Sequence, residues 1–212
     1  MANPFFNTCV QRDAYAALQL FLQIFDKICT LPTLNNTVLC NTFSDFLFAG
    51  VYKEEFSCTA CGYNNVSFVI FRDFTIGPHE NIGLLFQKIN IQVKTYTCSM
   101  CKVQNKQKVT TTIHEYPKLL LILVNRFSIS SFYHRHRKNN QPFHILDQIR
   151  FGLVDFNLMA LIEHHGIDTR SGHYTCFVKN TTDWYYCNDN SISRRHLPKT
   201  SANSYLLFFV HS

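Results

Sequence analysis

With 212 residues, 46% of them hydrophobic and including 20 Phe and 10 Tyr, the chain can bury one sizeable core, or one core and a small satellite, and is not disordered. Only 16% of residues are charged and the net charge is +6, which permits an acidic partner without demanding one. The longest aliphatic run, residues 119–124, is too short to span a bilayer, and Met1-Ala2-Asn3-Pro4-Phe5-Phe6 lacks the basic and apolar regions of a secretory signal, so neither membrane insertion nor secretion is expected.

In chain order, residues 9–28 read as an amphipathic helix. Ala14, Leu18, Phe21, Leu22, Phe25 and Ile28 recur at three-and-four spacing. Thr8 and Gln11 make a capping-box start, and Pro32 lies beyond the end. A short helix is expected over 43–48, ending at Gly50. The period then changes, and strands are expected over 66–72, 107–113, 119–127, 156–162, 174–179, 184–187 and 205–211. The apolar run 119–127 suits a buried strand. Residues 132–141 interrupt the pattern and read as an exposed basic loop, a solvated surface rather than a nucleic-acid contact. Helices first and strands later give an α+β class with a mainly antiparallel sheet.

Nine cysteines is an odd number, which together with their spacing favours a reducing compartment over a disulfide framework. Cys58-Thr59-Ala60-Cys61-Gly62 and Cys98-Ser99-Met100-Cys101 are two C-x-x-C knuckles. Each offers two thiolates from one tight turn, half of a tetrahedral zinc site, and strand-like sequence between them predicts a zinc ribbon. Four thiolates leave no open coordination position, so this zinc would hold the fold and take no part in chemistry. Cys29, Cys40, Cys176 and Cys187 stand in apolar surroundings and read as buried and inert.

Thiol catalysis needs a thiolate, an imidazole and a group that orients the imidazole. His173, in Gly172-His173-Tyr174, precedes Asn188 by fifteen residues, and the stretch between them reads as two strands. If the hairpin turns at Asn180-Thr181, residue 173 pairs with 188, and opposed side chains share a face with Cβ atoms about 4.5–5.5 Å apart. Asn188 then fixes the imidazole tautomer, while Asp189 points to the other face; a slip of register exchanges the two. Cys9, at the expected first turn of the leading helix, is the candidate nucleophile, since a helix N-terminus stabilises a thiolate. A core role for Cys9 under the helix start fits its position equally.

Several segments together resemble the ubiquitin-specific protease family of deubiquitinases. They are residues 43–50 followed by the Cys58 knuckle, the Tyr116-Pro117-Lys118 to Asn125-Arg126-Phe127 strand, residues 157–166, Gly172 to Lys179, Trp184 to Asp189, and Ser204 to Phe209. The resemblance runs from about residue 43 to the end. It implies a papain-like hand formed by one domain over 1–212: a reduced thumb over 1–50, zinc-ribbon fingers over 51–115 and a palm over 116–212. It also implies hydrolysis of the bond after ubiquitin's C-terminal glycine, in the cytoplasm or nucleus. Carried over residue by residue, His173 is the general base, Asn188 the orienting residue and Asp189 a supporting acid, while His164 matches a family position and reads as structural. Asn7-Thr8-Cys9 matches the family's Asn-Thr-Cys core. The oxyanion asparagine belongs five residues before the nucleophile, where Pro4 stands, with Asn3 one residue further back; Asn7 is the other oxyanion candidate. Leu18-Gln19 is displaced from its family distance to Cys9, and alignment on that pair puts Arg12 at the nucleophile position. Two other readings therefore stand beside the hydrolase: an inactive ubiquitin-binding module, and a protease for a ubiquitin-like modifier.

Overall fold

The computed structural model describes residues 11–29, 42–85, 91–129, 136–168 and 171–212. Helix α1 spans Ala14–Ile28, and its N-cap is Asp13, whose carboxylate accepts from the Ala16 N–H at 2.9 Å. The sequence expectation of a start at residue 9 is thus corrected: a short acidic side chain with extended backbone is a sufficient stop signal, and residues 11–13 are not helical. Thr8 lies outside the described residues. Ala14, Leu18 and Leu22 pack on the sheet as their spacing implies, but Phe21, Phe25 and Ile28 are exposed. Helix α2, Phe43–Phe48, is capped by Thr42 and tied to α1 by Asp26, which accepts from Ser44 N and Oγ, each at 2.7 Å. A third, single-turn helix, α3, covers Ile82–Leu85.

Two main sheets follow. One has the order β2-β1-β5-β4, formed by β1 (Gly50–Ser57), β2 (Asn64–Phe71), β4 (Ile91–Thr97) and β5 (Gln104–Glu115). Strand β1 carries no clean alternation, since Lys53-Glu54-Glu55 breaks it, and it forms because it finds an antiparallel neighbour on each side. The second sheet is eight-stranded. It contains β3 (Asp73–Ile76), β6 (Leu119–Val124), β10 (Gln148–Phe151), β11 (Val154–His165), β12 (His173–Asn180), β13 (Asp183–Asn188), β14 (Ser191–Arg194) and β16 (Ser204–His211). Only the β3–β6 pair is parallel among the described pairings. Two small ribbons pair β7 (Phe127–Ile129) with β8 (His136–Lys138) and β9 (Phe143–His144) with β15 (Thr200–Ser201).

The core lies on the two faces of β6, β11 and β16. Leu120, Ile122, Leu158, Leu161, Leu207 and Phe209 fill one side, and Leu121, Leu206 and Tyr205 meet α1 and Phe48 on the other. The expected strand 119–127 is broken at Asn125-Arg126, because Arg126 is 1% exposed and its guanidinium is used inside the fold. The expected basic loop is also corrected. Residues 136–138 pair as β8, and Lys138 is buried, donating to the His164 carbonyl and to Asn203 Oδ1; residues 130–135 lie outside the described set. Cys29, Cys176 and Cys187 are half-buried rather than buried, and Cys40 is outside the described residues.

Candidate active site

At the far end of the first sheet, each knuckle is the turn of a hairpin. In the β1–β2 turn the Cys58 N–H bonds to the Tyr63 carbonyl and the Gly62 N–H to the Cys58 carbonyl, each at 2.9 Å. The β4–β5 turn repeats this with Cys98 and Val103, and with Lys102 and Cys98, each at 3.0 Å. Gly62 and Lys102 take the left-handed position, at φ 71° and 60°. Pairing of β1 with β5 carries the two turns to one point. The four Sγ atoms lie within 4.8 Å of one another, with Cys58–Cys101 at 3.8 Å and Cys61–Cys98 at 3.7 Å. A tetrahedron of sulfurs about 2.3 Å from a central ion has edges of about 3.8 Å, so the residues fit the metal their spacing implies. The Cys61 N–H, with that of Ala60, pulls the Cys58 thiol down to about 6, and the Cys101 N–H acts in the same direction on Cys98.

The second constellation sits at the open end of the β12–β13 hairpin. The strands pair Cys176 with Cys187 and Asn180 with Asp183, so the turn is Thr181-Thr182, and Thr181 takes φ 58°. The register is therefore two residues from the expected one, and continues to place Asn188 opposite Thr175. An even shift keeps residues on their faces, and His173 reaches Asn188 on the diagonal: Nε2 to Oδ1 is 2.6 Å. Asp189 does not point away as expected. Its left-handed backbone, φ 48°, swings the carboxylate back to 3.9 Å from the same Nε2. With Nε2 engaged by Asn188, proton exchange with a nucleophile falls to Nδ1. On the opposite face, burial and the neighbouring Cys187 push the Cys176 thiol up, as suits an inert thiol.

The segment before α1 is brought to the same place. Gln11 Oε1 accepts from the Gly172 N–H at 2.8 Å, and Asp13 Oδ2 accepts from Tyr205 Oη at 2.6 Å and Tyr174 Oη at 3.3 Å. Burial, with Asp13 adding to it, raises both tyrosines above their ordinary value. Gln11, Arg12, His164, Gly172, His173 and Asp189 line one cavity of about 300 Å³. His164 is 2% exposed, and its ring packs directly under Gly172, where a Cβ would stand 2.3 Å from Nε2. Burial, then the charge of Lys138, lowers its pKa. Asp13 and Gln11 were not singled out by sequence as site residues, although an Asp directly before an apolar-periodic run is a helix-start signal. Cys9, Asn7 and Asn3 lie outside the described residues. The described start of α1, capped at Asp13, lies four residues beyond Cys9 in the sequence.

The family profile for ubiquitin carboxyl-terminal hydrolases matches residues 1–209. This chain belongs to that family. Among curated relatives, it is 24% identical over 229 residues to ubiquitin carboxyl-terminal hydrolase 23 of Arabidopsis thaliana, covering 97% of this chain and 26% of that protein. It is 28% identical over 186 residues to hydrolase 2 of Gallus gallus, covering 77% and 51%. The chain thus spans between about a quarter and a half of these relatives. Its fold is similar to that of a chain in the structure of the SAGA Ubp8/Sgf11/Sus1/Sgf73 DUB module bound to ubiquitin aldehyde, with a TM-score of 0.75 at 19% identity, covering 100% of this chain and 51% of that one. The Ubp8-Sgf11-Sgf73-Sus1 SAGA DUB module gives 0.70 at 19% identity, covering 95% and 49%. The described residues are mostly strand with few helices, in keeping with a compact form of this family's α+β fold.

Proposed function

We propose that this family member is a thiol-dependent deubiquitinase that hydrolyses the bond after ubiquitin's C-terminal glycine. The observation that carries it is the 2.6 Å contact between His173 Nε2 and Asn188 Oδ1 at the mouth of a cavity. In this reading Asn188 accepts from Nε2–H and so keeps the Nδ1 lone pair toward the thiol. His173 takes the Cys9 proton, the thiolate attacks the glycyl carbonyl, and the imidazolium then protonates the leaving lysine amine. Asp189, with its carboxylate 3.9 Å from the same Nε2, is the supporting acid of this reading. A backbone amide near Cys9, with Asn7 or Asn3, would hold the oxyanion, and water then hydrolyses the acyl-enzyme.

In the same reading Cys58, Cys61, Cys98 and Cys101 hold a structural zinc ion, which ties the tips of two hairpins together when bound. Residues 1–50 act as a reduced thumb, 51–115 as fingers and 116–212 as a palm. Ubiquitin or ubiquitinated proteins are the partners, and thiols kept reduced suit the cytoplasm or nucleus. No described helix is long and apolar enough to cross a membrane.

One observation favours a second reading, ubiquitin binding without hydrolysis. Arg12 lines the cavity beside His173, and α1 begins just after it. Alignment on Leu18-Gln19 gives Arg12 the nucleophile's place, and Asn7 then stands five residues before it, at the oxyanion spacing. A ubiquitin probe with a C-terminal electrophile separates the readings. Covalent labelling that disappears in Cys9→Ala supports hydrolysis; tight binding with no adduct supports the module. Labelling by a ubiquitin-like modifier's probe in preference to ubiquitin's would assign the third reading.

A further inference from the structure

We infer that His165 is a positioning residue for His173: Asn203 and Lys138 lock its ring as the neutral Nε2–H tautomer, which leaves the imidazolium of the reaction to His173. The inference rests on the thiol-hydrolase reading above and deepens it by naming the groups that fix the charge beside the general base.

The two histidines are neighbours by register. β11 pairs with β12 so that His165 stands directly opposite His173. Opposed side chains share a face, with Cβ atoms about 4.5–5.5 Å apart. His173 is engaged by Asn188 and Asp189. His165 has partners of its own: Nε2 lies 2.8 Å from Thr175 Oγ1, and Nδ1 lies 3.2 Å from Asn203 Nδ2.

The chemistry of these partners assigns the ring's protons. A lysine ammonium only donates. Lys138, 4% exposed, donates to Asn203 Oδ1 at 2.7 Å and to the His164 carbonyl. The amide oxygen of Asn203 is therefore taken, and the group it turns to His165 is its NH2, a donor. Nδ1 must accept, so the proton of the neutral ring sits on Nε2 and is donated to Thr175 Oγ1. Asn203 cannot turn over without setting its NH2 against the ammonium. Its backbone is held as well, because its N–H donates to Ser201 Oγ at 3.0 Å and its carbonyl accepts from the His164 N–H at 2.9 Å. A second proton on His165 would put Nδ1–H against another donor and lose that hydrogen bond.

The charged and titratable groups facing the ring are Glu163 on its own strand, Lys138 on β8 and His173 on β12. Glu163 Oε2 lies 3.7 Å from Nε2, on the side of the assigned proton, and its other oxygen accepts from Ser201 Oγ. Burial, opposed by Glu163 and joined by the charges of Lys138 and His173, holds the pKa of His165 below its ordinary value. Adjacent imidazoles do not both ionise readily, since each charge disfavours the other. The donor conflict at Nδ1 decides which of this pair stays neutral.

The test is a pH titration of the ¹⁵N-labelled chain by long-range ¹H–¹⁵N spectra of the histidine rings, with His165→Gln used to assign the resonances. In wild type, His165 should show the Nε2–H tautomer at pH 8 and titrate below the ordinary value near 6.5. Asn203→Asp keeps an acceptor for Lys138 and gives Nδ1 an acceptor too, so the His165 midpoint should rise by about one pH unit or more. A charge beside His173 then opposes its imidazolium near pH 6 but not at pH 8. The ratio of ubiquitin-probe labelling at pH 6 to that at pH 8 should fall about threefold or more, whereas a merely structural fault would slow labelling alike at both. An Nδ1–H tautomer in wild type, or a His165 midpoint at or above 6.5, would overturn the inference without recourse to any variant's activity. So would an unchanged labelling ratio in Asn203→Asp once its His165 midpoint has risen. Wild type that titrates as stated but takes no probe at any pH would remove the hydrolase reading, and with it the reaction that His165 serves, while the tautomer lock would stand.

Discussion

Arg126 shows what a single buried side chain does for this fold. Its guanidinium donates to the carbonyls of Ser204 at 2.6 Å, Gln141 at 2.8 Å, Asn139 at 2.9 Å and Ser201 at 3.0 Å, joining β6 to the start of β16 and to the β8–β9 connection. Burial pulls its pKa down to about 10, so it stays charged at neutral pH. Arg126→Ala would leave those carbonyls unpaired, and a loss of about 3–5 kcal/mol is expected by urea denaturation. Arg126→Lys should recover little, since three donors on one nitrogen cannot reach a fork of carbonyls. A loss below 1 kcal/mol for the alanine variant would show that water replaces the guanidinium freely. Asn188 is the opposite case, half-buried at a hairpin's outer end, where its removal costs the fold little. Asn188→Ala should leave the denaturation midpoint near wild type and slow probe labelling about a hundredfold, through loss of the imidazole's orientation. Unchanged labelling would detach Asn188 from the chemistry. His173 and Asn188 were legible in the sequence because a period-two strand pair preserves faces under an even register error. Asp189 was placed beside the site only by the resemblance, while strand pairing put it on the other face, because its contact depends on a left-handed φ that no periodicity announces.

At the scale of elements, the two knuckles are the same turn built from different residues. The first puts glycine in the left-handed position and the second puts Lys102 there, at φ 60°. A side chain with a Cβ pays about 1–2 kcal/mol in that region. Lys102→Gly is therefore expected to stabilise the β4–β5 turn by up to about 1 kcal/mol, less than the full strain because glycine also loosens the unfolded chain. A lowered melting temperature would refute this. Strand β11 carries a second testable feature in His164. Burial, then Lys138, holds its pKa below the ordinary value near 6.5, and His165 beside it is lowered by burial as well. Below about pH 6.5 the unfolded chain takes up protons that the folded chain refuses, so stability falls with falling pH through that window. The urea midpoint should drop between pH 7 and pH 5.5, and the drop should shrink in His164→Gln; an equal drop in the variant would assign the acid sensitivity elsewhere. Element boundaries were the least legible part of the chain. The start of α1 was set by the Asp13 side chain rather than by the apolar stripe. Strand β1 exists through pairing, which no local pattern shows, whereas β6, β11 and β16 are long apolar runs and were read directly.

For the whole molecule, the two sheets differ in what holds them. The palm sheet has a continuous core through β6, β11 and β16. The other sheet meets that core only at its near end, through Tyr52, Phe71 and Ile113, while Val66, Phe68, Val69 and Ile70 of β2 are exposed. Among its described residues the far end buries Cys58, Cys98 and Val109, with Phe56 stacked on Tyr96 beside them. Two hairpin tips with so small a core would fray, and four metal–thiolate bonds supplement it; structural zinc of this kind contributes about 10–16 kcal/mol of apparent folding free energy in isolated fingers. Removal of zinc by a chelator should accordingly be a local event. The amides of Cys58, Gly62, Cys98 and Lys102, each hydrogen-bonded within its knuckle, should lose protection in hydrogen exchange by a hundredfold or more, while those of Leu206 and Leu207 in the palm keep theirs. Cys58→Ser should reproduce the pattern without chelator. If knuckle and palm amides lose protection together, the fingers and palm form one cooperative unit. If neither changes, the four thiols hold no structural metal, and the sheet stands on its strand pairing alone.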